Sequence, residues 1–484
     1  MAVKWQRPVL VGGIGLSFAL WLLQSLHHSV AQLGEYGVWG AITLSTGLWL
    51  FQQLGQTKTN NLPPTESPLD RAMVEKAIAQ AEGLVSQLAA EAENHEAKVE
   101  LQQRVAQLQT ELDRQEIRLV ITGGQSVGKT TLMQVLKSSW VPQQQLKLSL
   151  QETPALFTNT NSNQQQEAAL AAAVASDLVL FVTNGDLTDS ELQALQQLTA
   201  ANQRVVVVFN KQDQYLPEER TVVLQALQQR LKVVLGAGFA VGIAAAPNPV
   251  KVCQHQPDGS MREWLEQPTP QTESLTNYIT QILVQEGQQL VWATTYRTAV
   301  ALKQEAKRAL NEVRRNRALP VIEQYQWITA ATAFANPVPA LDLLAAAAIN
   351  TQLVIELGAI YQQKISLQQA QTVAGTLGSL MVKLGLVELS TQTIGSILKS
   401  NAITFMAGGA LQGVSAAYLT RLAGVSLIEY FQEQDTVLSS ENRCLLNPIY
   451  LRRTLQRVFQ QNQQVAFLQS FVKTISQKLT PGMT

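Results

Sequence analysis

ITGGQSVGKTTL, residues 121–132, is the stretch on which the fold turns. Gly123-Gly124-Gln125-Ser126-Val127-Gly128-Lys129-Thr130 fits G-x-x-x-x-G-K-[ST]. The apolar run IRLVI precedes it, and a helix is predicted from about Lys129. Strand, glycine-rich turn and helix N-terminus, in that order, turn backbone N–H groups inward around a phosphate. Lys129 is expected to reach the β- and γ-phosphates, and the Thr130 hydroxyl to bind Mg²⁺. Thr131 completes the set of residues expected around the phosphates. The alternative is a glycine-rich turn that holds no ligand.

A second motif selects the base. RVVVVFNKQD, residues 204–213, reads as a buried strand ending in Asn210-Lys211-Gln212-Asp213, an N-K-x-D. A carboxylate at Asp213 can accept from both the ring N–H and the exocyclic amine of guanine. Adenine offers no such pair of donors. Alone, N-K-x-D is weak, and a charged strand-to-helix turn explains it as well. Behind a phosphate loop, in order, it points to GTP or GDP.

Charged residues make up 15% of the 484, hydrophobic residues 46%, and the net charge is zero. That balance suits a protein in or on a membrane, and no global field favours nucleic acid. Cys253 and Cys444 form no C-x-x-C pair, and the four histidines show no metal-ligand spacing. Two uncharged runs, 8–26 and 36–55, each approach the length that crosses a bilayer. They predict a transmembrane hairpin over 1–55, and a cleaved signal peptide is the alternative. Lys4, Arg7, Lys58 and Arg71 flank the runs, while the loop between them has no Lys or Arg. Both ends of the hairpin are therefore expected on the cytoplasmic side.

Residues 56–68 read as a linker and 69–116 as one long helix. Val74, Ile78, Ala81, Val85, Leu88, Ala92, His95 and Val99 keep a 4-3 spacing, and Leu101, Val105, Leu108 and Leu112 resume it. Such a seam suits a coiled coil or a helix docked on its own G domain. Residues 117–289 alternate short strands with helices, a P-loop α/β domain. A connecting helix is expected over 290–326, a hydrophobic helical domain over 327–435 and amphipathic helices over 436–484. For 327–435 a packed helical domain touching the membrane is favoured over further spans, because the runs are rich in small residues.

The chain resembles the translation-factor-like (Era-type) GTPases, and within them bacterial GTPases with an appended hydrophobic domain of the YcjF type, the DUF697 group. GGQSVGKTT, ETPALF, SDLVLFVTNGDLTDSELQAL, FNKQD, IAAAPNPV and AFANPVPALDLLAAAAINTQLVIELGAIY carry the resemblance. It covers most of 69–435 and implies a GTP-binding, GTP-hydrolysing G domain. The usual D-x-x-G stands here as Glu152-Thr153-Pro154-Ala155, so Glu152, one methylene longer, is expected to reach the Mg²⁺ shell through water and the Ala155 N–H to meet the γ-phosphate. The usual Ser-Ala stands as Ala244-Ala245, with the Ala245 N–H expected on guanine O6. Only SSWVPQQQ separates the first helix from the next strand, with no switch threonine, and Leu156 stands where a water-positioning glutamine is usual. Lys129, Thr130 and Glu152 are thus the expected catalytic residues, and hydrolysis is expected to be slow or to need a partner or second subunit that supplies an arginine. Asp177 reads as a polar strand start in preference to a metal ligand.

The resulting expectation is a membrane-anchored, cytoplasm-facing GTP-binding protein, a slow GTPase that switches its helical domain. Its partners would be guanine nucleotide, the lipid bilayer and a second copy, joined through 69–116 or the C-terminal helices. The rival readings are a dynamin-like membrane-remodelling GTPase, a nucleotide-gated transporter and a GTP-stabilised scaffold without catalysis. The near absence of charge in the candidate spans weakens the transporter.

Overall fold

The computed structural model describes residues 69–92, 97–157, 163–235, 239–255, 261–335, 339–399, 408–434, 448–462, 468–472 and 474–475. The expected hairpin (1–55), the linker (56–68) and His95 lie outside them. All that follows concerns the unit Leu69–Thr484.

Five parallel strands form the central sheet: β1 (Ile117–Gly123), β2 (Leu148–Glu152), β3 (Leu178–Thr183), β4 (Val205–Phe209) and β5 (Ala240–Gly242). Their order is β2-β1-β3-β4-β5. The chain reverses direction across the sheet between β1 and β3, and open α/β sheets place ligands at such a switch point. Side-chain alternation divides the strand residues between two cores. Leu119, Ile121, Leu180, Val182, Val206 and Val208 face one side, with α3 (Lys129–Val135). Val120, Val179, Phe181, Val207 and Phe209 face the other, under α4 (Asn163–Val174), α5 (Asp189–Ala200) and α6 (Pro217–Leu235). The near-continuous apolar runs of β3 and β4 follow from this two-sided burial.

The first face is closed by α7, which runs unbroken from Glu273 to Ala335, 63 residues. It therefore starts inside the region assigned to the P-loop domain and extends past the connecting helix expected over 290–326. At 1.5 Å per residue it spans about 95 Å. Successive stretches of α7 enter three cores. Leu275, Ile279, Ile282, Leu283, Leu290 and Val291 pack on the sheet. Ala299, Leu302, Ala306 and Leu310 pack on α1 (Arg71–Glu91) and α2 (Ala97–Leu112). Ala318, Ile322, Tyr325 and Ala330 enter the C-terminal helical region. Pro320 lies within α7, and the burial of Ala318 and Ile322 on either side holds the helix through it.

The 69–116 seam is thus carried by two helices folded against α7. Val74, Ile78, Ala81, Val85 and Leu88 are buried on α1, and Leu101, Val105, Leu108 and Leu112 on α2. This apolar face is covered within the chain by α7. Val99, counted in the seam, is 60% exposed. The helix breaks at Ala92, which has φ −139°, and the apolar phase shifts by two residues between Val99 and Leu101. Glu91 closes the junction by pairing with the buried Arg314 of α7 at 2.7 Å and accepting from Gln362 at 2.8 Å.

The C-terminal region is helical: α8 (Pro339–Ile360), α9 (Leu367–Lys383), α10 (Leu386–Lys399), α11 (Gly408–Gln434) and α12 (Pro448–Asn462). These helices and the end of α7 bury one common core. Among the described residues no single helix is long and apolar enough to cross a membrane. The α9–α10 pair reaches that length only across a 67° bend. α11 runs against α7, and Gly424 permits the approach: a Cβ there would lie 2.7 Å from Ile322 Cγ1. Gly424→Val should therefore destabilise the protein by about 1–3 kcal/mol. Thermal unfolding checks this, with nucleotide affinity at low temperature expected to stay at the parent value.

Candidate functional site

β1 delivers the phosphate loop to the carboxyl edge of the sheet, and α3 starts at Lys129 directly after it. Three of its residues have positive φ: Gly123 (144°), Ser126 (59°) and Gly128 (94°). A Cβ on Gly123 would collide with the Val182 carbonyl of β3, and one on Gly128 with Asn210 Nδ2. The glycines therefore set both the curl of the loop and its closeness to the next strands. Lys129 is buried, and its Nζ donates to the carbonyls of Gly123 (3.1 Å) and Gly124 (2.6 Å), so the ammonium is drawn across the loop. Burial lowers its pKa, and the Glu152 charge works against that shift.

Thr130 Oγ1 donates to Glu152 Oε1 at 2.8 Å. The sheet thereby joins two residues 22 apart in sequence, since β2 lies beside β1. Adjacent oxygens around Mg²⁺, each about 2.0–2.1 Å from the metal, stand about 2.9 Å apart. The pair thus has the spacing and the hard-oxygen chemistry that would suit the ion. After Glu152 the chain stays on the loop: Thr153 Oγ1 donates to Thr122 Oγ1 (2.8 Å) and Leu156 N to the Gly123 carbonyl (3.0 Å). The Leu156 side chain is fully buried in the core under α4 and α5, so it packs and positions no water.

The N-K-x-D side of the site is built at the ends of β4 and β5. Asn210 is buried, donates from Nδ2 to the Val127 carbonyl (2.9 Å) and accepts at Oδ1 from Ala245 N (3.0 Å). It ties the phosphate loop to the segment after β5. Lys211 sits at φ 63°, held there by the following Gln212 N, which donates to the Ile243 carbonyl. Asp213 accepts at Oδ2 from Asn248 N (2.9 Å), and its Oδ1 is buried without a hydrogen-bond partner. A buried carboxylate oxygen with spare capacity is the acceptor that a guanine ring N–H requires.

The N–H expected on guanine O6 is engaged elsewhere. Ala245 donates to Asn210, and Ala244 to the Gln271 carbonyl. Ala246, exposed and next in the chain, is the nearest residue of this segment whose N–H has no partner among the described residues. Glu191 was not singled out from sequence, although Thr188-x-x-Glu191 is a capping-box signal. It caps α5, and the Cβ position of Gly124 lies 3.6 Å from its Oε1, so it borders the phosphate loop.

Asp177 lies at the start of β3, the opposite end of the strand from the loop. Its carboxylate is buried in a two-pronged pair with Arg114 (2.8 and 2.8 Å) and accepts from Arg118 N (2.7 Å). Close by, Arg297 of α7 donates to the carbonyls of Asn202, Val174 and Ser176. Burial lowers its pKa to about 10, and Asp177 counteracts the shift. Among the described residues no group of three or more His, Cys, Asp or Glu is placed to hold a metal.

A protein-family profile described as a domain of unknown function, DUF697, matches residues 297–464, about a third of the chain. The match begins within α7 and covers the helical region. No curated protein matches. Among solved structures, the chain is similar to a bacterial dynamin pair described as oligomerised and as sensing and tethering membranes over long range. Identity there is 12% over 84% of this chain and 79% of that one, with a TM-score of 0.27. It is also similar to LeoA, a bacterial dynamin GTPase from ETEC, at 10% identity over 84% of this chain and 94% of that one, TM-score 0.25. Neither superposition bears weight at those scores.

Two substitutions separate this site from the base of the sheet. Gly128→Ala forces a Cβ against Asn210 in a left-handed conformation and should weaken nucleotide binding roughly tenfold or more. Asp177→Ala leaves Arg114 without its buried partner and should cost about 3 kcal/mol of stability. Its nucleotide affinity, read by fluorescent-nucleotide titration, should stay at the parent value.

Proposed function

We propose that the chain is a GTP-binding protein and slow GTPase, with an Era-type G domain, whose nucleotide state is transmitted to the helical region through α7. The single observation that carries the reading is Asp213: one carboxylate oxygen is fixed by Asn248 N of the segment that follows β5, and the other is buried and unpaired. Beside it, the phosphate loop supplies the cradle and the Thr130–Glu152 pair the donors for Mg²⁺. In this reading Gly123 through Thr131 bind the phosphates, and Asn210, Lys211 and Asp213 bind the base. The backbone N–H for O6 then comes from Ala246 in place of Ala245. Mg²⁺, when bound, neutralises charge between the phosphates. Lys129 exchanges its two carbonyl partners for phosphate oxygens.

Slow turnover follows from the side chains available. Leu156 offers no hydrogen bond to water, and the segment after α3 is docked: Trp140 Nε1 donates to Thr280 Oγ1 of α7 at 3.0 Å. That contact supports a route from the nucleotide to α7, because the link where a mobile switch is expected is fastened to the rod itself. Membrane anchorage rests on the two uncharged runs in 1–55. The long α1–α2–α7 bundle favours a second reading, a dynamin-like assembly, for which GTPase activity should rise steeply with protein concentration on liposomes.

Base choice tests the assignment. Asp213→Asn replaces one acceptor with a donor, and the mismatch at buried polar groups costs about 1–3 kcal/mol, roughly tenfold to a hundredfold in GTP affinity. Xanthine carries an oxygen where guanine has its amine, so affinity for the xanthosine nucleotide should rise on the same preparation. A variant that prefers GTP as the parent does would refute the base assignment. Single-turnover hydrolysis by the parent should be slow, and Lys129→Ala should bind GTP more weakly.

A further inference from the structure

Beyond the sheet, β6 (Val250–His255) and β7 (Met261–Glu266) form an isolated antiparallel ribbon. Every residue of β7 is exposed. Val250, Met261, Trp264 and Leu265 are large apolar side chains exposed by 54, 55, 38 and 72%. A two-stranded ribbon is marginal alone, and a bare strand edge is a template for another strand.

Pairing within the ribbon places Val250 opposite Glu266, Val252 opposite Trp264 and Gln254 opposite Arg262. Side chains alternate, so Arg262, Trp264 and Glu266 share one face with the two valines. On the other face Glu263 is already paired with Lys251 at 2.6 Å. Arg262 and Glu266 have no side-chain partner among the described residues. β7 therefore reads Arg-x-Trp-x-Glu, which is complementary to itself when reversed. β6 lacks this property: reversed on itself about Cys253, it sets Lys251 against His255 with no anion.

The geometry points to β7 as a docking edge for a second copy of this chain. The two β7 strands pair antiparallel about a two-fold axis at Trp264, with Arg262 opposite Glu266 of the second copy on either side. The result is a four-stranded sheet with an apolar strip of Val250, Val252 and Trp264 from each copy, an isologous contact that closes at two subunits. The ribbon rises from the base-reading segment. Asn248 N holds Asp213, and Gln267 Nε2 donates to the Pro247 carbonyl at 2.6 Å. Dimerisation therefore stiffens the same segment that fixes Asp213.

Full-length protein, purified in detergent, is compared by light scattering across a concentration series. Arg262→Glu and Glu266→Arg each set like charges opposite one another twice per dimer and should weaken dimerisation about tenfold. The double variant Arg262→Glu/Glu266→Arg restores the complement and should return close to the parent. In a Cys253→Ser/Cys444→Ser background, Trp264→Cys should cross-link to itself on mild oxidation, and Leu265→Cys should not. Arg262, Trp264, Leu265 and Glu266 are exposed, so unchanged helical content controls for folding. A parent that stays monomeric, single variants that dimerise like the parent, a double variant no better than the singles, or Trp264→Cys that stays uncross-linked would each overturn the pairing.

Discussion

Continuity of α7 is the constraint on which the rest of the structure depends. One helix closes the sheet, carries α1 and α2, and forms an edge of the C-terminal core. Each core is built from a different stretch of the same rod, so none can rotate about it without disturbing side chains in the next. Ala299, Ala306, Ala318 and Ala330 are small and fully buried, which lets neighbouring helices approach closely. Arg297 and the Arg314–Glu91 pair add polar fixings at the joints, satisfying helix-end carbonyls and a buried carboxylate that would otherwise be costly.

The candidate site is arranged beside that rod. The glycine-rich loop and the N-K-x-D loop come from strand ends of one sheet, and Asn210 couples them by hydrogen bonds in both directions. On the far face the link after α3 docks on α7 through Trp140. A change in β1, β2 or the loop between them therefore has a short physical path to the helix that reaches the C-terminal region. Such coupling requires two arrangements of one element that the ligand distinguishes. The segment from Glu152 to Leu156 is held to the glycine-rich loop and the end of β1 by hydrogen bonds at Glu152, Thr153 and Leu156.

Several features were legible in the residues themselves. Local geometry fixed the phosphate loop, because only glycine accepts the backbone angles and close approaches at 123 and 128. The apolar runs of β3 and β4 required burial on both faces, and Asp177 read as structural before its pairing with Arg114 was visible. The order of loop and N-K-x-D within 117–289 implied that they converge. These signals are short-range, and the chain carries them in its composition and spacing.

Tertiary structure decided the rest. The 4-3 seam of 69–116 specifies an apolar face, and burial against α7 meets that requirement as fully as a second chain would. Periodicity cannot distinguish the two, because a helix face is satisfied by any apolar partner. The start of α7 at Glu273 was hidden because its buried face changes partner along its length, so no one stripe persists. Which alanine N–H is left without a partner depended on Asn210 taking Ala245, a hydrogen bond between residues 35 apart. The sequence by itself determined the elements and the loop chemistry, since those depend on neighbours in the chain. Only the folded chain decided which faces and which donors were left over, because each is settled by a partner distant in sequence.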